Sequence, residues 1–420
     1  MRILFLSHYF FPEGNAPATR VYELTRRWAE AGHEVTVVTS APNVPNGVVY
    51  EGYRNRPFQR ERIGGVSVWR VWTFLAANRG TARRILNFLS YAATATLAGL
   101  FAPKPDVVIA TSPQFFCGWA GVVVSFLRRR PFVLEIRDIW PESIVAVEAM
   151  EPSRWIRALE WLELRMYAAA DHIVTVGEGY RRKLVEKGVP AERLSIVPNG
   201  VDLAAFAPER ATPWLRAEHD LGDRFVCAYV GTIGMGAGLE VVLSAARRLR
   251  EAGRDDLRFA LVGDGAERED LEARAREEGL DSIVFTGRVD KARIPGLLAE
   301  VDACLVHLRR TPLFQTVMPS KIFEASAQRR PIVLGVEGFA AELVSEAEAG
   351  LCIEPENDRQ LLEALDRLAA DPELASRLGD NGFERIARRF DFGELAVRYA
   401  ASLEALPSGA PTARPPAERG

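Results

Sequence analysis

Short apolar runs alternate with longer stretches in which apolar residues recur at helical spacing, and this alternation dominates the chain. In the first half, Arg2–Leu6, Glu34–Thr39, Val66–Val71, Asp106–Ala110, Phe132–Ile136 and His172–Val176 read as strands, short and several of them rich in β-branched residues. Between them lie segments such as Thr19–Ala31, whose apolar positions share one helical face and which is followed by Gly32, a residue suited to ending a helix. The alternation pauses at Val197-Pro-Asn-Gly-Val-Asp202 and the polar, proline-containing stretch to Gly222, which reads as an interdomain connection. It resumes with Phe225–Val230, Arg258–Val262, Ile283–Thr286, Ala303–His307, Pro331–Gly335 and Gly350–Ile353, separated by charged helices such as Glu267–Glu278. Strands separated by helices make parallel sheets wrapped on both faces. The predicted architecture is therefore α/β with two Rossmann-like doubly wound domains, residues 1–200 and 201–375. Helices over 376–406 are expected to return to the N-terminal domain, and a Pro-, Gly- and Ala-rich tail, 407–420, is expected to be disordered.

Composition narrows what such a protein can do. At 420 residues the chain suits two cores, and 48% apolar with 26% charged residues is ordinary for a packed globule. Lys+Arg number 53 against Asp+Glu 56, a net charge of −3, so no global basic field gathers nucleic acid and any anionic ligand must be held locally. The four cysteines lack the spacing of a zinc site or a redox pair and read as reduced core residues. Ser7 and His8 interrupt the apolar run Ile3–Leu6, which only Arg2 precedes; it reads as a first buried strand and not a signal peptide, and the expected location is the cytoplasm. One segment, Ile85–Ala102, carries no charge and is flanked by Arg79, Arg83, Arg84 and Lys104. Its alanines, threonines and Asn87 make it a poor span. It reads either as a helix packed on the sheet or as an interfacial helix whose arginines meet anionic lipid, peripheral on the inner face of the cell membrane.

In a doubly wound sheet, ligands gather at the C-terminal ends of strands, where loops and helix N-termini present amides. The first such loop, Pro12-Glu-Gly14-Asn15, precedes the helix carrying Arg20. The second half opens with a strand running into Gly231-Thr-Ile-Gly234-Met-Gly-Ala-Gly238, an open turn whose amides could face a diphosphate. It lacks the dinucleotide fingerprint frame and its acidic ribose partner, which disfavours a dehydrogenase. Gly263 and Gly265 close the next strand, and Thr286-Gly-Arg288 the one after. The segment Arg309–Pro331 puts Lys321 and Glu324 one turn apart at the start of a helix that follows a strand and a loop. A carboxylate there can accept from a ribose diol while the ammonium meets diphosphate charge; the competing reading is a surface ion pair.

The chain resembles the family-four retaining glycosyltransferases over nearly its whole length. The resemblance rests on the Gly14 loop, Gly32-His-Glu-Val35, Ile196–Asp202, Leu261-Val-Gly-Asp-Gly265, Phe285-Thr-Gly-Arg288, Phe323-Glu-Ala325 with Arg330-Pro-Ile-Val333, and Ala349-Gly-Leu351. Within that family Ile136-Arg-Asp-Ile-Trp-Pro-Glu142, Gly231-Thr-Ile-Gly234 and Pro319-Ser-Lys-Ile-Phe-Glu324 are similar to the N-acetyl-L-fucosamine transferases of O-antigen and capsule assembly. The resemblance implies a GT-B fold, with the two domains facing across a cleft, and transfer with retention from a nucleotide-sugar donor, UDP-linked, to an acceptor that is a lipid-diphosphate-linked saccharide. It assigns the donor to the second domain through Glu324, Gly231, Thr232, Gly234, Gly263, Arg288, Ser320 and Arg309, and the acceptor to the first through Gly14, Asn15, Arg20 and Glu142. Lys321, Arg137 and Asp138 are the candidate catalytic residues, although Asp138 and Glu142 serve equally well as structural hydrogen-bonding groups.

The family pattern is also broken in places. Thr316 stands where the first glutamate of a Glu-x7-Glu motif is expected, Thr232 and Ala237 where a basic pair is, and Arg137 where a histidine is. Two diphosphate charges then need Lys321, Arg309, Arg310 or Arg137. No Asp-x-Asp follows a strand, so neither a cofactor nor a metal is expected. The alternatives on the same fold are a nucleotide-sugar 2-epimerase and a catalytically inactive sugar-nucleotide-binding protein.

Overall fold

A computed structural model describes residues 1–44, 46–76, 81–112, 115–139, 154–207 and 212–406. The chain divides into two compact units, Met1–Asn199 joined by the chain from Phe392 onward, and Gly200–Asp391.

The first unit holds β1 (Arg2–Leu6), β2 (Glu34–Ser40), β3 (Phe58–Ile63), β4 (Val66–Val71), β5 (Val107–Thr111), β6 (Phe132–Ile136), β7 (His172–Thr175) and β8 (Leu194–Ile196) in one sheet. Its order is β3-β4-β2-β1-β5-β6-β7-β8, parallel throughout except for β3, which runs antiparallel to β4. The helices are α1 (Ala16–Glu30), α2 (Thr81–Phe101), α3 (Phe115–Arg128), α4 (Arg154–Ala169) and α5 (Glu178–Glu186). Every residue of β5 and β6 is buried, as sequences covered on both faces require. Two strands had no apolar run to announce them: β3 (FQRERI) alternates exposed and half-buried positions at the sheet edge, and β8 has only three residues.

The second unit holds β9 (Phe225–Val230), β10 (Leu257–Val262), β11 (Ile283–Gly287), β12 (Ala303–His307), β13 (Ile332–Gly335) and β14 (Gly350–Cys352), all parallel in the order β11-β10-β9-β12-β13-β14. That is the doubly wound order whose switch point lies between its first and fourth strands, β9 and β12. Helices α6 (Leu215–Glu218), α7 (Glu240–Glu251), α8 (Arg268–Glu277), α9 (Ile294–Glu300), α10 (Lys321–Ala327), α11 (Phe339–Glu346), α12 (Asp358–Ala370) and α13 (Pro372–Asn381) cover it.

The last described helix, α14 (Phe392–Glu404), packs on α1: the Trp28 indole donates to the Ala396 carbonyl at 2.9 Å and meets the Tyr399 ring edge-on. The chain passes back to the first unit at Phe392, not at residue 376 as the strand pattern suggested. The reason is packing. Leu374 and Leu378 of α13 lie in the second unit's core, and Gly379 is so close to the Arg329 carbonyl that a Cβ would stand 2.0 Å from that oxygen. The expected disordered tail, 407–420, lies outside the described residues.

Candidate donor and acceptor residues at the strand ends

In the second unit, β9 ends at Val230 and the chain turns at Gly231 with φ +146°, a conformation few side chains tolerate. The first residue of α10, Lys321, lies directly against this turn: a Cβ on Gly231 would meet Lys321 Cε at 2.6 Å and Nζ at 2.8 Å. Glycine here makes room for the lysine. Lys321 Nζ stands 4.7 Å from the centre of the Tyr229 ring, and the Tyr229 hydroxyl donates to the Thr232 carbonyl, so strand, turn and cation are held as one piece. One turn further on, Glu324 is half-buried, and no side-chain or backbone donor is recorded on its carboxylate among the described residues. Burial raises its pKa, opposed by the positive charges of Lys291 and Lys321. Lys321, Glu324, Ala228, Val230, Leu298 and Cys304 line one small cavity beside the switch point.

Other donor candidates fall into different roles. Gly231 N–H donates to Val262 O and Gly263 N–H to Gly287 O, so these two amides are taken up in strand-like pairing and are not turned toward a diphosphate. Gly263 is required by contact, since a Cβ there would lie 1.9 Å from Gly231 O. Gly265 has the same requirement against Ile233 O at 2.2 Å. Thr232 is exposed, Gly234 leads into the 3-10 turn Met235–Ala237, and Ser320 precedes α10 with no side-chain cap bond. Arg309 is paired with Glu267 at 3.2 Å and Arg310 with Glu337 at 3.0 Å. Both cations are thus engaged by carboxylates, whereas Arg288 is exposed with no ion pair among the described residues. Two contributors carried no sequence signal. Lys291 acts on Glu324 from the turn after β11. His307, fully buried, has Nδ1 at 2.7 Å from Ala237 O and accepts the Glu356 N–H on Nε2 at 2.8 Å. These partners fix its Nδ1–H tautomer, and burial lowers its pKa, so a neutral ring ties the glycine turn to the loop before α12.

The first unit uses charge differently at the same edge. Arg20 is 1% exposed, and its guanidinium donates to Glu135 at 3.2 Å, to Pro198 O at 2.5 Å and to Val197 O at 2.7 Å. Expected on an acceptor, it is instead consumed inside the fold. Its partner Glu135, fully buried on β6, also accepts from Thr111 Oγ1. Asn15, another acceptor candidate, caps α1 by accepting the Ala18 N–H at 2.9 Å. Gly14 remains open, since a Cβ there would meet nothing within 4 Å. Arg137 donates from Nε to Ser112 O at 2.9 Å, while Nη2 is buried with no hydrogen-bond partner among the described residues. Burial lowers the Arg137 pKa to about 10 against the opposing pull of Glu135. Asp138 is half-buried beside it, its carbonyl accepting from Ser112 Oγ. Glu142 lies outside the described residues.

Comparison with known proteins separates the halves along the same line. Residues 15–200 match the glycosyl transferase 4-like domain and residues 214–385 the glycosyl transferases group 1. Over 409 residues, 93% of this chain and 98% of the relative, the sequence is 28% identical to the putative colanic acid biosynthesis glycosyl transferase WcaI of Escherichia coli strain K12. It is 30% identical over 247 residues to the alpha-D-kanosaminyltransferase of Streptomyces kanamyceticus, covering 57% of this chain and 62% of that one. Among solved structures, Anabaena HepE in complex with UDP has the same fold with a TM-score of 0.70 and 18% identity, covering 97% of this chain and all (100%) of that one. WaaG, a glycosyltransferase involved in lipopolysaccharide biosynthesis, matches with a TM-score of 0.66 and 17% identity over 96% of this chain and 100% of that one.

Proposed function

The chain belongs to the family-four glycosyltransferases, with the paired Rossmann-like domains of the GT-B type, and we propose that it moves an N-acetylated amino sugar from a UDP-linked donor to a lipid-linked saccharide in cell-surface polysaccharide synthesis. In this reading the donor sits on the second domain and the acceptor on the first, with retention of anomeric configuration and no divalent ion. The observation that carries it is the pairing of Lys321 with Glu324 at the switch point of the second sheet, where Gly231 is shaped to admit the lysine.

The chemistry follows from where charge grows. As the bond from the anomeric carbon to the diphosphate stretches, negative charge builds on the leaving oxygen, and an ammonium already fixed over Tyr229 stabilises that charge without reorganising. Glu324, with acceptor capacity unused by the protein, takes the ribose hydroxyls and sets the register of the donor. The leaving phosphate helps to take the proton of the acceptor hydroxyl. On the first domain, Arg137, whose buried Nη2 has no hydrogen-bond partner among the described residues, supplies a donor to an oxygen of the acceptor. Purified protein with a panel of nucleoside diphosphate sugars tests the reading: a UDP-sugar should raise the melting temperature, and transfer should persist in EDTA. If no activated sugar shifts the melting curve, the donor assignment fails. Interconversion of the free donor without any acceptor would instead identify an epimerase.

A further inference from the structure

Helix α2 is built inside out. It turns small residues, Ala95 and Ala98, with Tyr91 toward the sheet, and sends Leu86, Leu89, Leu97 and Phe101 to solvent, the last two 59% and 76% exposed. These four recur at helical spacing and form one face. Its neighbour α3 repeats the inversion: Gly118, Ala120 and Gly121 face inward, where Gly121 lies so close to Phe132 and Ala110 that a Cβ would clash, while Phe126 and Leu127 are 68% and 56% exposed. The two helices touch through Gly99 and Val124, and the Arg128 guanidinium reaches the Leu100 and Ala102 carbonyls, so their outward faces are contiguous. A water-facing helix pair gains nothing from this arrangement; a continuous apolar face of this kind marks a surface that is covered in use.

The charge around the face says what covers it. Arg83 and Arg84 stand at one end, and Lys104, Arg129 and Arg130 at the other, none of them in an ion pair among the described residues. The only acidic residue from 79 to 130 is Asp106, already bound to Arg2. No described helix is long and apolar enough to cross a membrane. We propose that α2 and α3 together dock the first domain on an anionic lipid surface, the apolar face entering the interface and the terminal cations meeting headgroup phosphates. A second copy of this chain would set two unpaired basic rims against each other, and an apolar protein partner would leave them unmatched. The inference rests on the proposed lipid-linked acceptor for its purpose, but the surface stands on its own geometry.

Co-sedimentation of the full chain with vesicles tests it, using phosphatidylcholine alone and phosphatidylcholine with phosphatidylglycerol, both free of saccharide. Binding should be confined to the anionic vesicles and weaken with salt. Leu97→Asp with Phe126→Asp should lower it by at least about tenfold, and Arg83→Ala with Arg129→Ala by a similar factor, while melting temperature and donor-induced thermal shift stay those of the unaltered chain. Equal partition onto neutral vesicles, or protein left in solution with both, overturns the proposal. So does a dimer in analytical ultracentrifugation that the aspartate pair dissolves, because a second copy would then own the face. Failure of vesicle binding with an intact donor shift sinks the surface alone; loss of the donor shift sinks the function instead.

Discussion

The two sheets end in the same kind of edge and treat charge there in opposite ways. At the edge of the first, Arg20 is closed off by Glu135 and two backbone carbonyls, with every part of its guanidinium fork engaged inside the protein. At the edge of the second, among the described residues, Lys321 has only the face of Tyr229, and no donor reaches the Glu324 carboxylate. A buried charge satisfied by its own fold specifies structure; a charge positioned by the fold and left unsatisfied is set aside for a ligand. If that contrast is right, substitutions at Arg20 cost stability and those at Lys321 and Glu324 cost activity.

The largest effect is expected at Arg20. Arg20→Ala takes from Glu135, at 0% exposure, the nearer of its two cationic partners and leaves it Arg137 at 3.8 Å and the Thr111 hydroxyl; breaking such a buried pair costs about 3–5 kcal/mol. Urea unfolding should show it, and Arg20→Met with Glu135→Leu should recover part of the loss, since no carboxylate is then buried without its nearer partner, although Arg137 loses Glu135 at 3.8 Å. An Arg20→Ala protein as stable as the parent but deficient in transfer would put the arginine back on the acceptor and erase the contrast.

Lys321→Ala comes next and has the opposite signature. Turnover should fall by about a hundredfold, the scale for removing one preorganised group from a developing anion, while unfolding free energy changes by less than about 1 kcal/mol. Glu324→Gln is smaller again: donor affinity should weaken by about tenfold with little change in turnover, as for a charged hydrogen bond made equally in ground and transition states. Titration with UDP and with a UDP-sugar measures it. A Gln variant that binds as tightly as the parent would take the ribose role from Glu324.

How far these edges could be read from sequence differs between them for a physical reason. The second sheet's strands, its glycine turns and the Lys321–Glu324 spacing are all local patterns, and local patterns survive in a linear string. What stayed hidden was pairing across long separations. Arg20 and Glu135 are 115 residues apart, so nothing near Arg20 announces that its guanidinium is taken, and the acceptor role expected of it was the natural misreading. The pair of Arg309 with Glu267, on another strand's loop, was hidden for the same reason. The glycines are instructive in the other direction. The Gly231 turn was read for amides that could face a diphosphate, and the room it leaves admits a lysine; Gly263 lets two turns touch. Strand β3 and the return at Phe392 were missed because neither carries a hydrophobic signature of its own.

The smallest expected effect at neutral pH lies at His8, again on the first edge, and it sharpens the contrast by removing a polar group that serves no ligand. The His8 ring is fully buried, stacked at 4.3 Å on Tyr91 and 4.9 Å on Tyr9, with both ring nitrogens lacking partners among the described residues. Burial pushes its pKa down to about 3. The folded protein therefore holds the ring neutral while the unfolded chain protonates near its ordinary value of about 6.5. Stability from this group is complete above that value and is lost as pH falls through the window from about 6.5 to about 3, because there the unfolded state binds the extra proton. His172 and His307, also lowered by burial, add slope in the upper part of the same window. Phenylalanine keeps the stack and has nothing to titrate. His8→Phe should thus match the parent within about 1 kcal/mol at pH 7 and exceed it progressively toward pH 5, as followed by urea unfolding at each pH. Parallel curves for the two proteins would mean that the ring finds a proton acceptor in the native state. His8 would then join Arg137 as a group held ready at the first edge, and the division between a closed edge and an open one would have to be redrawn.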